Sequence, residues 1–166
     1  RLLDHLLYEV PPHSAAHGFY PELSIVTNAR VHVGSAWVIS YDLEDFFPST
    51  DEAKVRQVLR SHYALEGRTL DAILRLTCRN GSLPQGAPTS PHLANLAFCE
   101  GDELLSKLAQ KDDLSYTRYA DDMTFSGKEL PTALDHQVRQ IARQVGYRLA
   151  DQKTKRMGRH QCQKVT

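Results

Sequence analysis

Residues 114 to 127 read Leu-Ser-Tyr-Thr-Arg-Tyr-Ala-Asp-Asp-Met-Thr-Phe-Ser-Gly, and this stretch decides the fold. Tyr116, Arg118 and Ala120 alternate with Thr117 and Tyr119 ahead of an acidic pair, Asp121-Asp122. Met123, Thr124 and Phe125 resume strand-like composition, and Gly127 closes it. β-branched and aromatic residues on both sides of two acids spell a hairpin with two carboxylates at its tip. Such a tip has two readings. Asp suits tight turns on its own account. Adjacent carboxylates also repel, and a divalent cation shared with a further acid relieves that repulsion.

A second acidic strand end lies far upstream. Trp37, Ile39 and Tyr41 alternate with Val38, Ser40 and Asp42, which reads as a strand buried on both faces. It runs into Leu43-Glu44-Asp45-Phe46-Phe47-Pro48. An acid closing an apolar strand is costly unless exposed, paired or on a metal. The plain alternative is that Asp42 caps the turn after Leu43.

Between the two acidic ends the pattern is helical. Thr50 or Asp51 caps a helix to about Ala64, with Val55, Val58 and Leu59 inward. Gly67 breaks it, and a second helix spans Thr69 to Cys78. Leu83-Pro84-Gln85-Gly86-Ala87-Pro88-Thr89-Ser90-Pro91 then forms a loop before one long helix through Leu93, Leu96, Ala97, Leu104 and Leu108. Ser90 is its expected cap and Pro91 its first residue. Small residues at this helix mouth permit close approach of another backbone, or serve only as a tight connection. After the hairpin, Pro131 to Val145 is an amphipathic helix ended by Gly146, and the tail to Thr166 reads as short strands.

The N-terminal part is less informative. Leu2, Leu3, Leu6 and Leu7 make a helical stripe stopped by Pro11-Pro12. His13 and His17 lack the further ligands a zinc site needs. Ser24 to Val33 is a short helix capped by Ser24, with Asn28 and His32 on one face as a hydrogen-bonded brace.

Composition narrows the class. At 166 residues, 41% apolar and 24% charged, the chain is one domain or part of one, with a real core. Net charge is zero and singles out no partner. From Arg139 onward, Arg143, Arg148, Lys153, Lys155, Arg156, Arg159 and Lys164 face only Asp151. That run is a solvated face unless it lines a groove, where it would bind phosphates. Cys78, Cys99 and Cys162 show no CxxC spacing and suit a reducing compartment. With no long apolar run, the expectation is a soluble cytoplasmic chain without a membrane partner.

The order is β, α, α, loop-capped helix, β-hairpin, α, β. In a split β-α-β-β-α-β sheet the first strand lies beside the hairpin, so Asp42 and Asp121 converge at one sheet end. Two or three carboxylates there fit a two-ion site for in-line attack on a phosphate.

These motifs carry a family resemblance. Tyr41-Asp42-Leu43-Glu44-Asp45-Phe46-Phe47-Pro48-Ser49, Leu83 to Pro91 and Tyr119-Ala120-Asp121-Asp122 resemble the palm of prokaryotic reverse transcriptases, retron-type or group II intron-like. Ser24 to Ala29 with His32, Gln152-Lys153-Thr154 and Val165-Thr166 add support. The resemblance implies an α+β palm with an antiparallel sheet and helices packed on one face. It implies a division in which 1–35 and about 49–82 are fingers-side segments and 36–48 and 83–166 the palm. N-terminal fingers strands and a C-terminal thumb are expected outside the chain.

The resemblance also implies roles. Asp42 and Asp121 would hold two Mg²⁺ ions, with Mn²⁺ as a substitute, the Leu43 carbonyl as a backbone ligand and Asp122 as a less critical third acid. Phe47 falls at the aromatic gate against a nucleotide 2′-hydroxyl. Pro84, Gln85 and Gly86 form the loop beside the incoming nucleotide and template. Tyr119 and Ala120 would lie under the primer end, and Lys153 near the leaving pyrophosphate. Implied partners are an RNA template, a DNA or RNA primer, dNTPs and a cognate structured non-coding RNA; the implied setting is a prokaryotic retroelement or antiviral defence system. Glu22-Leu23 depart from the family's Gly-Arg before Ser24, which puts one phosphate or RNA contact in doubt. The alternatives are a catalytically silent nucleic-acid-binding or defence module on the same fold, or a palm RNA polymerase.

Overall fold

The computed structural model describes residues 2–165; Thr166, the end of the expected terminal strand, lies outside them, as does Arg1. In chain order the elements are α1 (Leu2–His5), a 3₁₀ turn (Leu7–Glu9), α2 (Ile25–Arg30), β1 (Trp37–Asp42), α3 (Phe46–Ser49), α4 (Glu52–Tyr63), α5 (Gly67–Thr77) and α6 (Ser90–Ala97). Then come α7 (Cys99–Lys111), β2 (Ser115–Tyr119), β3 (Asp122–Gly127), α8 (Leu134–Gln144), a second 3₁₀ turn (Asp151–Lys153) and β4 (Lys155–Gly158). Two compact units result: residues 2–12 with Asp45–Cys99, and His13–Glu44 with residues 100–165.

The second unit holds the sheet, ordered β2-β3-β1-β4 and antiparallel throughout. β1 therefore lies beside the hairpin, as the split arrangement requires. Strand alternation gives the sheet two unlike faces. One carries Ile39, Tyr41, Tyr116, Met123 and Phe125, all buried. Phe125 stacks on Tyr116 with ring centroids 4.7 Å apart. α7 lies on this face, since its Asp102 accepts from the Tyr116 hydroxyl at 2.8 Å. Burial raises the Tyr41 phenol well above its usual range, and the carboxylate of Asp135 on α8 adds to the shift.

The other face is polar: Ser40, Thr117, Thr124 and Ser126. Here α2 closes over the sheet. Ser24 caps it in a reciprocal box with Thr27. Just past its end, buried His32 reaches Ser126 Oγ through Nδ1 and Thr117 Oγ1 through Nε2, both at 2.7 Å. His32 is thus the brace its spacing suggests. It also explains why residues 13–35 join the sheet unit.

The first unit is helical. Asp51 caps α4 by accepting from Lys54 N at 2.9 Å, and Val55, Val58 and Leu59 are buried as the periodicity requires. α4 packs on α5 and α6, which draws 83–99 into this unit.

Three local expectations change. Ser90 is the first residue of α6 and not its cap; its hydroxyl donates instead to the Pro84 carbonyl at 2.7 Å, tying the loop back. The long helix to Leu108 is two helices, separated at Phe98 (φ −92°, ψ 4°), whose ring is buried. Val165 lies outside any strand, and β4 is the tail's one strand among the described residues.

Candidate active site

Asp42 is the last residue of β1, and its backbone is fixed on both sides. Its carbonyl accepts from Ala150 N at 2.8 Å, and the next amide, Leu43 N, donates to the Asp121 carbonyl at 2.9 Å. Register places Asp42 opposite Asp122, and Asp122 opposite Tyr119. Residues directly opposite share a face, so Tyr119, Asp122 and Asp42 form a row across the sheet end.

The hairpin loop holds one of the two acids, not both. Its two residues are Ala120 and Asp121, while Asp122 already opens β3. Ala120 adopts φ +56°, a left-handed conformation unusual for a residue with a side chain. Its surroundings hold it there. The Arg118 Nη1 donates to the Ala120 carbonyl at 2.7 Å. Gly18 packs under the loop so closely that a Cβ would stand 2.8 Å from the Ala120 nitrogen. Arg118 itself is fully buried and grips Asp102 of α7 through two hydrogen bonds.

The electrostatics are coupled. Burial raises the Asp121 carboxyl above its usual range, and the Asp42 charge pushes it the same way, against Lys153 and Arg118. Lys153, on the second 3₁₀ turn, donates to Asp42 Oδ1 at 2.8 Å. That bond, with the Asp42 charge, holds the ammonium above its usual value. On the polar face a cavity of about 900 Å³ is walled in part by Ser40, Asp42, Asp122, Lys153 and Lys155. Anionic and cationic groups thus line one concavity, as a site for metal-bound phosphates requires.

Among the described residues, no three His, Cys, Asp or Glu side chains gather into a cage that would hold a metal alone. Mg²⁺ does not demand one: it is usually bound by one or two carboxylates plus substrate phosphates and water. Asp42 and Asp121 are oxygen donors near enough for the Asp42 charge to act on Asp121, and the donor set fits such an ion.

The sheet unit therefore brings together Asp42, Leu43, Tyr119, Ala120, Asp121, Asp122 and Lys153. The other four candidates stand in the helical unit. Phe47, on α3, is half-buried with its ring 5.6 Å from that of Phe46. Pro84 takes the Ser90 hydrogen bond, Gln85 is exposed, and Gly86 has φ +87° with open space about it. Backbone conformation, not crowding, requires glycine there.

The basic run divides. Arg139 pairs with Asp135 and Asp151. A separate concavity of about 640 Å³ is lined by Glu44, Arg139, Arg143 and Arg148 among others.

Residues 1–165 match the family model for reverse transcriptase (RNA-dependent DNA polymerase). The chain belongs to the reverse transcriptase family. Among its relatives, retron Mx162 reverse transcriptase of Myxococcus xanthus is 38% identical over 75% of this chain and 29% of its own length. Retron Mx65 reverse transcriptase, from the same organism, is 37% identical over 100% of this chain and 43% of its own. Retron Ec86 reverse transcriptase of Escherichia coli is 41% identical over 68% and 35%. The chain thus spans less than half the length of these relatives.

Two solved telomerase structures share the fold. One, from Candida tropicalis, superposes with TM-score 0.56 over 84% of this chain and 35% of its own, at 11% identity. The other, from Candida albicans, gives 0.55 over 98% and 33%, at 12% identity. The antiparallel sheet carrying Asp42 and the Asp121 hairpin is accordingly a reverse-transcriptase palm. Among the described residues no helix is long and apolar enough to cross a membrane.

Sequence reasoning missed Gly18, Asp102 and the anchoring role of Arg118. Asp102 had a signal: it shares the helical stripe of Leu105 and Ala109, where an acid needs a buried cation.

Proposed function

We propose that the chain is the palm, with part of the fingers, of a retron-type RNA-directed DNA polymerase that joins dNTPs to a primer 3′-hydroxyl on an RNA template. The observation that carries this is Asp42 opposite Asp122 and electrostatically coupled to Asp121, at one sheet end of a reverse-transcriptase fold. Residues 1–35 and about 49–82 are assigned to the fingers side, and 36–48 and 83–166 to the palm.

Asp42 and Asp121, with the Leu43 carbonyl, would hold two Mg²⁺ ions, and Asp122 assists. Bound divalent ions neutralise charge on the transferring phosphate and favour deprotonation of the attacking hydroxyl. The chain's own groups position the rest. Lys153 leaves Asp42 for the departing pyrophosphate and supplies positive charge there. Tyr119 and Ala120 support the primer end. Phe47 crowds a 2′-hydroxyl, and Pro84, Gln85 and Gly86 border the nucleotide and template. The same reading proposes a cytoplasmic prokaryotic setting, a cognate structured RNA and a role in a retroelement or defence system. The intact Asp42, Asp121 and Asp122 disfavour a silent binding module. The test is RNA-templated primer extension by the full-length protein carrying this domain, with dNTPs and with ribonucleotides. Loss of extension in Asp42→Asn supports the reading, and equal use of ribonucleotides would favour an RNA polymerase.

A further inference from the structure

Phe19 is 45% exposed, yet it is firmly placed. Its ring centroid lies 5.8 Å from that of Tyr119, with the planes at 37°. Its backbone sits at φ +61°, a left-handed region that is strained for a non-glycine residue. Such strain persists only where neighbours over-determine it. Here Arg118 N donates to the Ala15 carbonyl and His17 N to the Arg118 carbonyl, both at 2.7 Å. Gly18 is wedged against the Ala120 nitrogen. The loop is stitched along β2 and delivers an aromatic ring against that of Tyr119.

Tyr119 begins the row that continues through Asp122 to Asp42. Strands lie about 4.8 Å apart, so Tyr119 and Asp42 are about 10 Å apart along the backbone row. Lys153 stands at the Asp42 end. The sheet end therefore presents aromatic rings at one side and acids with a lysine at the other. A strand terminus needs that order, with a flat apolar base beside a charged sugar-phosphate.

We propose that Phe19, together with Tyr119, forms a stacking platform for the terminal base of the primer strand. The inference rests on the polymerase reading and adds a contact to it. Stacking accepts any base, because every base has a π-face. It also needs a ring and not merely apolar bulk, which separates it from a role in propping the hairpin.

The test uses the full-length protein and a primed RNA template with 2-aminopurine at the primer 3′ end. Dissociation constant, fluorescence quenching and a melting curve are read for wild type, Phe19→Gly, Phe19→Leu and Phe19→Trp. Phe19→Gly removes the ring and relieves the left-handed strain, so its fold should be retained. The expected result is binding weaker by about five- to a hundredfold in the Gly and Leu variants, with quenching lost and Trp restoring both. Wild-type binding and quenching in Phe19→Leu, or in a folded Phe19→Gly, would overturn the platform. Failure of the wild type to extend the primer would overturn the polymerase reading itself, whereas extension with no Phe19 effect overturns only the platform.

Discussion

The Arg118 guanidinium donates to both carboxylate oxygens of Asp102, from Nε at 2.9 Å and from Nη2 at 2.6 Å, in a pair fully shielded from water. Burial opposes the guanidinium charge, but the Asp102 carboxylate outweighs it and keeps the group firmly protonated. The third nitrogen reaches the Ala120 carbonyl at 2.7 Å. A buried charge pair on the apolar face of the sheet thus fixes the loop that presents Asp121 on the sheet's end.

Breaking that pair leaves an uncompensated buried charge. Asp102→Ala should cost about 3–5 kcal/mol, whereas Asp102→Leu with Arg118→Met should recover much of it. Urea unfolding of the two variants checks this. A loss below about 1 kcal/mol in Asp102→Ala would contradict the buried pairing.

His32 makes stability depend on pH. Burial, reinforced by the neighbouring His17, lowers its pKa from 6.5 to about 4. As pH falls, the unfolded chain takes up this proton first. Stability is therefore intact above about pH 6.5 and declines toward pH 4, by roughly 3 kcal/mol for this shift alone. His32→Gln should lower stability at neutral pH, because two hydrogen bonds change, and should flatten the slope between pH 6.5 and 4. An equally steep slope in that variant would assign the effect to another group.

Lys153 competes with cations for Asp42. In Lys153→Met, Mg²⁺ should bind more tightly by about two- to fivefold in the absence of nucleotide, a small effect because the lysine is largely exposed to solvent. Extension should still slow if Lys153 serves the pyrophosphate as proposed. Titration calorimetry and single-turnover extension read the two effects separately, and weaker Mg²⁺ binding would contradict the competition.

The motifs that act through local chemistry were legible in the sequence. Strand alternation gave β1 and the hairpin, Thr50-Asp51 announced α4, and the order of elements led to a sheet with β1 beside β3. Tertiary decisions were not legible. Phe98, its ring buried, separates α6 from α7, while composition alone continues the helix to Leu108. Ser90 looked like a cap until the Pro84 carbonyl claimed its hydroxyl. Asp122 belongs to β3 because Ala120 absorbs the turn at positive φ, which requires Gly18 a hundred residues away. Such contacts lie between distant segments and leave no periodic trace.

Phe47 tests sugar choice. Crowding a hydroxyl against its ring is worth roughly 1–3 kcal/mol by analogy with overpacked cores, or about 5- to 150-fold. Phe47→Val should raise ribonucleotide kcat/KM relative to deoxynucleotide kcat/KM by about that factor. An unchanged ratio in a well-folded variant would remove Phe47 from selectivity.

The central claim is that Asp42 and Asp121 jointly hold the ions that drive nucleotidyl transfer. The most direct measurement is primer extension on RNA by full-length Asp42→Asn and Asp121→Asn proteins, with Mg²⁺ binding and melting curves alongside. Extension should fall by about a thousandfold or more, and Mg²⁺ affinity with it. The melting temperature of Asp121→Asn should hold or rise, because a charge that burial and its neighbour disfavour is removed. Near-normal extension by either variant would contradict the account.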